Sequence, residues 1–227
     1  FDFSGKIKQE NVGNTVYLRG LIELSNICEK DCYYCGIRKS NSNVHRYSIS
    51  ENEVLEVIKY AYENGYGSVA LQSGEIQSNA FTEKINRILL KTREMTNGEL
   101  GITLSCGEQT EETYRKWMEA GANRYLLRIE TSNPELYRKL HPNDDIHRFE
   151  RRLEALEMLK KTGYQVGTGV MIGLPFQTIE NLADDLLFMK QFDIDMCGMG
   201  PYIEHRETPL FAYKDSLMPL KERFNLS

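Results

Sequence analysis

A chain of 227 residues with 41% hydrophobic and 27% charged side chains is long enough to bury an ordinary core and too apolar to be disordered. Its net charge of −5, with both signs interspersed, leaves no basic face for nucleic acid, and no apolar run is long enough to span a membrane. Five cysteines, three of them within eight residues, argue against a disulfide framework and for a reducing, cytoplasmic setting without a signal peptide; a first residue of Phe1 rather than Met is expected of a trimmed or partial product.

Short β-rich runs alternate with longer helical patterns. The first predicted strand is Val16–Ser25, followed by a helix over Ser50–Asn64 with Ser50 and Glu53 as a capping box. Strand two is Ser68–Gln72, helix two Phe81–Met95, strand three Gly101–Ser105 and helix three Thr110–Ala120, stopped by Gly121. Strand four is Arg124–Ile129. Two helical pieces follow, Pro134–Leu140 and Arg148–Thr162, the second closed by Gly163. Strand five is Gln165–Ile172, helix five Thr178–Phe192, strand six Asp195–Tyr202, and a last helix covers Ser216–Asn225. Strands separated by such helices pair in parallel, which predicts one α/β domain over residues 1–227: a partial (β/α)6 barrel of the TIM type, without residues for units seven and eight.

The sharpest signal is Cys28-Glu-Lys-Asp-Cys32-Tyr-Tyr-Cys35, a C-x3-C-x2-C triplet directly after strand one. Thiolates are the usual ligands of iron–sulfur clusters. Three thiolates on a four-iron cubane leave one iron open, and an open metal position is where a substrate binds. Loops after barrel strands are also where active sites lie. A structural zinc site would need a fourth ligand, for which His45 is the nearest candidate. Cys106 and Cys197 stand alone near strand ends and read as buried structural thiols. Residues 124, 126, 128 and 130 share one face of strand four, so Arg124, Arg128 and Glu130 put ionic groups inside a barrel that is normally apolar.

The triplet, with an aromatic before its last cysteine, resembles the signature of the radical S-adenosylmethionine (SAM) superfamily. The flanking text Glu23-Leu-Ser-Asn-Ile-Cys28, Cys32-Tyr-Tyr-Cys-Gly36, Leu71-Gln-Ser-Gly-Glu75, Arg124-Tyr-Leu-Leu-Arg128, Glu130-Thr131, Asn133-Pro134 and Gly200-Pro201 resembles the HydE family of iron–iron hydrogenase maturases. The resemblance implies a 4Fe–4S cluster on Cys28, Cys32 and Cys35, and reductive cleavage of SAM to a 5′-deoxyadenosyl radical. It implies Tyr34 against the adenine, Ser73 and Gly74 on the SAM amino group, Glu130 on the ribose or amino group, Arg152 on the SAM carboxylate and Met196 beside the SAM site. Gln72, Thr103 and Arg128 are the implied substrate residues, converging over the barrel interior to select a small anion. Gly169–Pro175 would make apolar contact with adenine, and His205 matches a family histidine.

The pattern departs from HydE at Ile129, where the family has a histidine, in the strand-six loop, and in lacking the last barrel units and accessory cysteines. The implied partners are a small anionic or iron-bearing precursor, an external electron donor and other hydrogenase maturases. Two alternatives stay open: a related enzyme of the biotin synthase or methylornithine synthase type, and a non-catalytic iron–sulfur or zinc scaffold.

Overall fold

The structure is a computed structural model and describes residues 2–226. Its strands form one parallel sheet in chain order: β1 (Gly20–Ser25), β2 (Ser68–Ser73), β3 (Gly101–Ser105), β4 (Arg124–Leu126), β5 (Gln165–Ile172) and β6 (Met196–Pro201). Eight helices accompany them among the described residues: α1 (Asp2–Val12), α2 (Glu51–Glu63), α3 (Asn79–Met95), α4 (Glu111–Glu119), α5 (Pro134–Leu140), α6 (Phe149–Thr162), α7 (Ile179–Gln191) and α8 (Leu220–Leu226). Every connection between neighbouring strands carries at least one helix, so the chain is a partial β/α barrel.

Alternation along the strands divides the sheet into two faces. Ile22, Leu24, Val69, Leu71, Ile102 and Leu104 are buried with Ile58, Ile88 and Trp117 of the helices. The other face is concave and open, and there Leu21 is 60% exposed. Register sets depth on that face. Thr103 lies across from Ala70 and Arg124, whereas Gln72 lies one layer higher, across from Glu23 and Ser105.

The local stop signals act as expected. Ser50 and Glu53 form the capping box of α2, and Gly163 ends α6 at φ 100°. Three of the expected elements differ from the sequence reading, which also did not include α1. Residues 16–19 are not strand: the β1–β2 ladder begins at the Gly20–Val69 pair. Strand four is a regular ladder only to Leu126. There the Thr168 hydroxyl takes the Ile129 amide (3.1 Å), and Glu130 adopts φ 65° while its own amide returns to Gly169 (2.9 Å). The expected last helix, Ser216–Asn225, starts only at Leu220 as α8, and a 3-10 helix over Pro209–Ser216 precedes it. No helix among the described residues is long and apolar enough to cross a membrane.

Candidate active site

The cysteine loop leaves the C-terminal end of β1, and its Cys28 sulfur lies beside the residues that follow β2. Cys32 is buried, and Cys28 and Cys35 are half-buried. Burial pushes all three thiols up, Cys32 to about 12, with Arg152 pulling it back in part. Thiols held this way need a cation to become thiolates, which is what an iron centre supplies. The Glu75 amide already donates to the Cys28 sulfur at 3.3 Å, the kind of N–H···S bond that steadies a cluster thiolate. Among the described residues no three His, Cys, Asp or Glu side chains converge on a point that could hold one metal ion, and His45 is exposed. The triplet supplies three thiols, one ligand short of the four that a closed structural zinc site needs.

A buried ionic network lies beneath the loop. Lys30, inside the triplet and 4% exposed, pairs with Glu108 at 2.9 Å and Glu75 at 3.2 Å. Glu108 also receives Arg152 (2.6 Å) and Arg151 (3.0 Å). Burial alone would raise the Glu108 carboxyl, but Arg152, Lys30 and Arg151 together hold it below its usual range. Glu75 has weaker contacts with the same cations and the repulsion of Glu108, and burial raises it. Neither Glu108 nor Lys30 was legible as a site residue in the sequence, since they meet across 78 positions.

The structure brings several predicted residues together and separates others. Tyr34 is half-buried, and its hydroxyl meets His141 Nε2 at 3.1 Å. Arg128 forms a two-pronged pair with Glu130 (2.8 and 3.1 Å) and reaches the Gly198 carbonyl (3.1 Å), so its guanidinium lies across the open face above Gly169 and Gly198. Gln72 and Ser73 line a cavity of about 200 Å³ with Glu23, Ser25, Asn26, Ile37 and Tyr47. Gly74 makes a close approach, but to its own chain: a Cβ there would lie 2.2 Å from the Ile27 carbonyl oxygen. His205 packs its ring against Gly36.

Four further placements bear on the expected site. Arg152 is 8% exposed, bonds Glu108 and the Arg128 carbonyl and lies 3.7 Å from Glu75, so it braces the site. Met196 opens β6 level with Gly167 and Leu126, beside Arg19 and a cavity of about 830 Å³ at the N-terminal ends of the strands, away from the cysteines. Gln72, Thr103 and Arg128 occupy different depths and do not converge; Thr103 is the deepest, 1% exposed with its hydroxyl unpartnered. Cys106 is buried as expected, but Cys197 is exposed, its thiol 3.2 Å from the Met189 sulfur.

The profile of the radical SAM superfamily matches residues 22–189. The [FeFe] hydrogenase maturase subunit HydE of Thermotoga maritima is 46% identical over 210 residues, 92% of this chain and 58% of that protein. A 3-methylornithine synthase of Methanosarcina acetivorans is 30% identical over 93% of this chain and 59% of its own length. The crystal structure of methylornithine synthase (PylB) superposes with a TM-score of 0.80 at 29% identity, covering 90% of this chain and 59% of that one. The chain thus spans a little under three fifths of the length of these three relatives. With three thiols at the head of a parallel β/α sheet and the profile running through five of its six strands, the chain belongs to the radical SAM superfamily.

Proposed function

We propose that this chain is the catalytic core of a HydE-like maturase, one that cleaves SAM reductively and acts on a small anionic or iron-bearing precursor of the iron–iron hydrogenase cofactor. The observation that carries the reading is the cysteine loop at the C-terminal end of β1, in a chain 46% identical to a HydE. Cys28, Cys32 and Cys35 would hold a 4Fe–4S cluster. Bound there, the cluster supplies the electron for SAM cleavage.

The protein's own groups orient the reactants. Tyr34 offers a ring held by His141, and Ser73 a hydroxyl at the end of β2. Glu130 presents a carboxylate neutralised by Arg128, which leaves the pair short of net charge and able to bind a zwitterion. Arg128, a third exposed beside Glu130, would turn its remaining N–H groups to a polar edge of the substrate on the open face. Gln72, a layer above Thr103, would supply a neutral hydrogen-bonding group. An external electron donor and other hydrogenase maturases are the proposed partners.

The test is anaerobic reconstitution with iron and sulfide, then reduction with SAM and assay for 5′-deoxyadenosine. Complementation of a strain lacking its own HydE separates the maturase from a methylornithine synthase type, a reading supported by the 0.80 TM-score. Stoichiometric zinc without visible absorption would refute both.

A further inference from the structure

The eight residues from the end of α5 to the start of α6, Leu140 to His147, are Leu-His-Pro-Asn-Asp-Asp-Ile-His. In the structure this segment lies against the cysteine loop and bonds every residue from Lys30 to Tyr34 except Cys32. The Lys30 ammonium donates to the Ile146 carbonyl. The Asp31 amide donates to His147 Nε2 at 2.8 Å. The Tyr33 amide donates to the Leu140 carbonyl at 2.9 Å, and the Tyr34 hydroxyl lies 3.1 Å from His141 Nε2.

The tautomers of both histidines follow from their partners. His147 Nδ1 lies 2.7 Å from the Asp144 carboxylate and His141 Nδ1 lies 2.9 Å from the Tyr137 carbonyl, and both partners can only accept. Nδ1 therefore carries the proton in each ring, which leaves Nε2 bare and able only to accept. The Asp31 amide can only donate. The rings are 2% and 4% exposed, and burial lowers the pKa of both. The His141 ring also stacks on Tyr137 with centroids 3.9 Å apart. One histidine thus takes a donor from the C-x3-C half of the triplet and the other from the C-x2-C half.

We propose that Leu140–His147 is a clamp that holds the cysteine loop in its ligating conformation before any metal arrives, with His147 and His141 as its positioning residues. The inference rests on the reading of the triplet as a cluster site, but it concerns the metal-free chain and is testable there. Without the clamp, assembly would have to order the loop as well as bind iron.

The test is amide hydrogen exchange on the full metal-free chain under anaerobic, reducing conditions. In the wild type, Asp31 and Tyr33 should exchange at least tenfold more slowly than unstructured amides. His147→Leu removes the acceptor and should speed Asp31 at least tenfold, with the β2 and β3 amides unchanged. His147→Gln keeps an acceptor for Asp31 and a donor for Asp144, and should restore most of the protection. Should His147→Leu unfold, Asp144→Ala at the solvent side still frees the ring and should speed Asp31 several-fold. In reconstituted protein, His147→Leu should lose iron to a chelator at least fivefold faster than wild type, and His147→Gln at close to the wild-type rate. Unprotected Asp31 in the wild type, or identical exchange in His147→Leu, His147→Gln and wild type, would overturn the clamp. A wild type that takes up no iron would overturn the cluster reading instead, leaving the exchange result standing.

Discussion

Gly74→Ala tests how tightly β2 is fitted to the cysteine loop. The added methyl would sit 2.2 Å from the Ile27 carbonyl oxygen, 2.7 Å from its carbonyl carbon and 2.8 Å from Cys28 Cβ. Two of these neighbours are backbone, so no rotamer change relieves the contact. To reach ordinary carbon contact distances the β2 tip and the loop must part by roughly 1 Å. That movement stretches the bonds that join them: Gly74 amide to Ser25 carbonyl (3.0 Å), Glu29 amide to Glu75 carbonyl (2.8 Å) and Glu75 amide to the Cys28 sulfur (3.3 Å). Overpacking a fitted site costs about 1–3 kcal/mol, and weakening backbone bonds adds about 1 kcal/mol. The expected loss is ~2–4 kcal/mol, a large part of a typical domain's stability but short of all of it. Urea unfolding of the metal-free chain measures it, with an unchanged m-value as the sign that the native state is still compact. Gly67→Ala is the control, because a Cβ there meets nothing within 4 Å, and it should change stability by less than about 0.5 kcal/mol. Iron per chain after reconstitution should fall in Gly74→Ala and hold in Gly67→Ala. A loss below about 0.5 kcal/mol with full iron uptake in Gly74→Ala would refute the reasoning, since the loop would then be free to move aside.

Replacing any of Cys28, Cys32 or Cys35 by alanine should abolish iron uptake, whereas Cys106→Ala and Cys197→Ala should leave it near four per chain; elemental analysis after anaerobic reconstitution decides. Glu108→Gln leaves Lys30 and Arg152 buried with too little counter-charge and should cost about 3–5 kcal/mol, read as a lowered thermal midpoint. Burial pushes His141 down to about 3, so between its ordinary value near 6.5 and that point the unfolded chain binds the proton first. Stability should therefore fall as pH drops below about 6.5, by up to about 1.4 kcal/mol per pH unit from this group, and His141→Gln should show the shallower slope in urea titrations from pH 7.5 to 5.5. Arg128→Lys keeps the charge but loses the two-pronged grip on Glu130, and should reduce substrate-dependent 5′-deoxyadenosine formation more than uncoupled SAM cleavage; equal losses would place Arg128 in the SAM site.

What was legible in the sequence is what local rules determine. Ser50 and Glu53 are three residues apart and cap α2 whatever lies elsewhere, and Gly163 ends α6 because the helix needs a left-handed residue there. The cysteine triplet is likewise local. The end of strand four was not, because its bulge depends on the Thr168 hydroxyl of β5, 39 positions away. Helix α1 was missed because it buries no residue and so carries no apolar stripe to read. The open face misled in a further way: alternation places Gln72, Thr103 and Arg128 on one side, but depth along the barrel comes from inter-strand register, which no single strand encodes.

The groups beneath the loop make the same point in energetic terms. The carboxylates nearest Arg152 are Glu108 and Glu75, which arrive from the ends of β3 and β2. A buried guanidinium is stable only with such partners. His141 and His147 are the converse case. Polar connector residues are normally solvated, but a neutral imidazole with both nitrogens bonded has little left to lose on burial. His147 meets that condition only because Asp31, 116 positions earlier, supplies the second bond while Asp144, three positions earlier, supplies the first. The local half of the arrangement, Asp144 followed by His147, is visible in the sequence. The distant half makes it part of the cluster loop's foundation, and it becomes visible only when the chain has closed on itself.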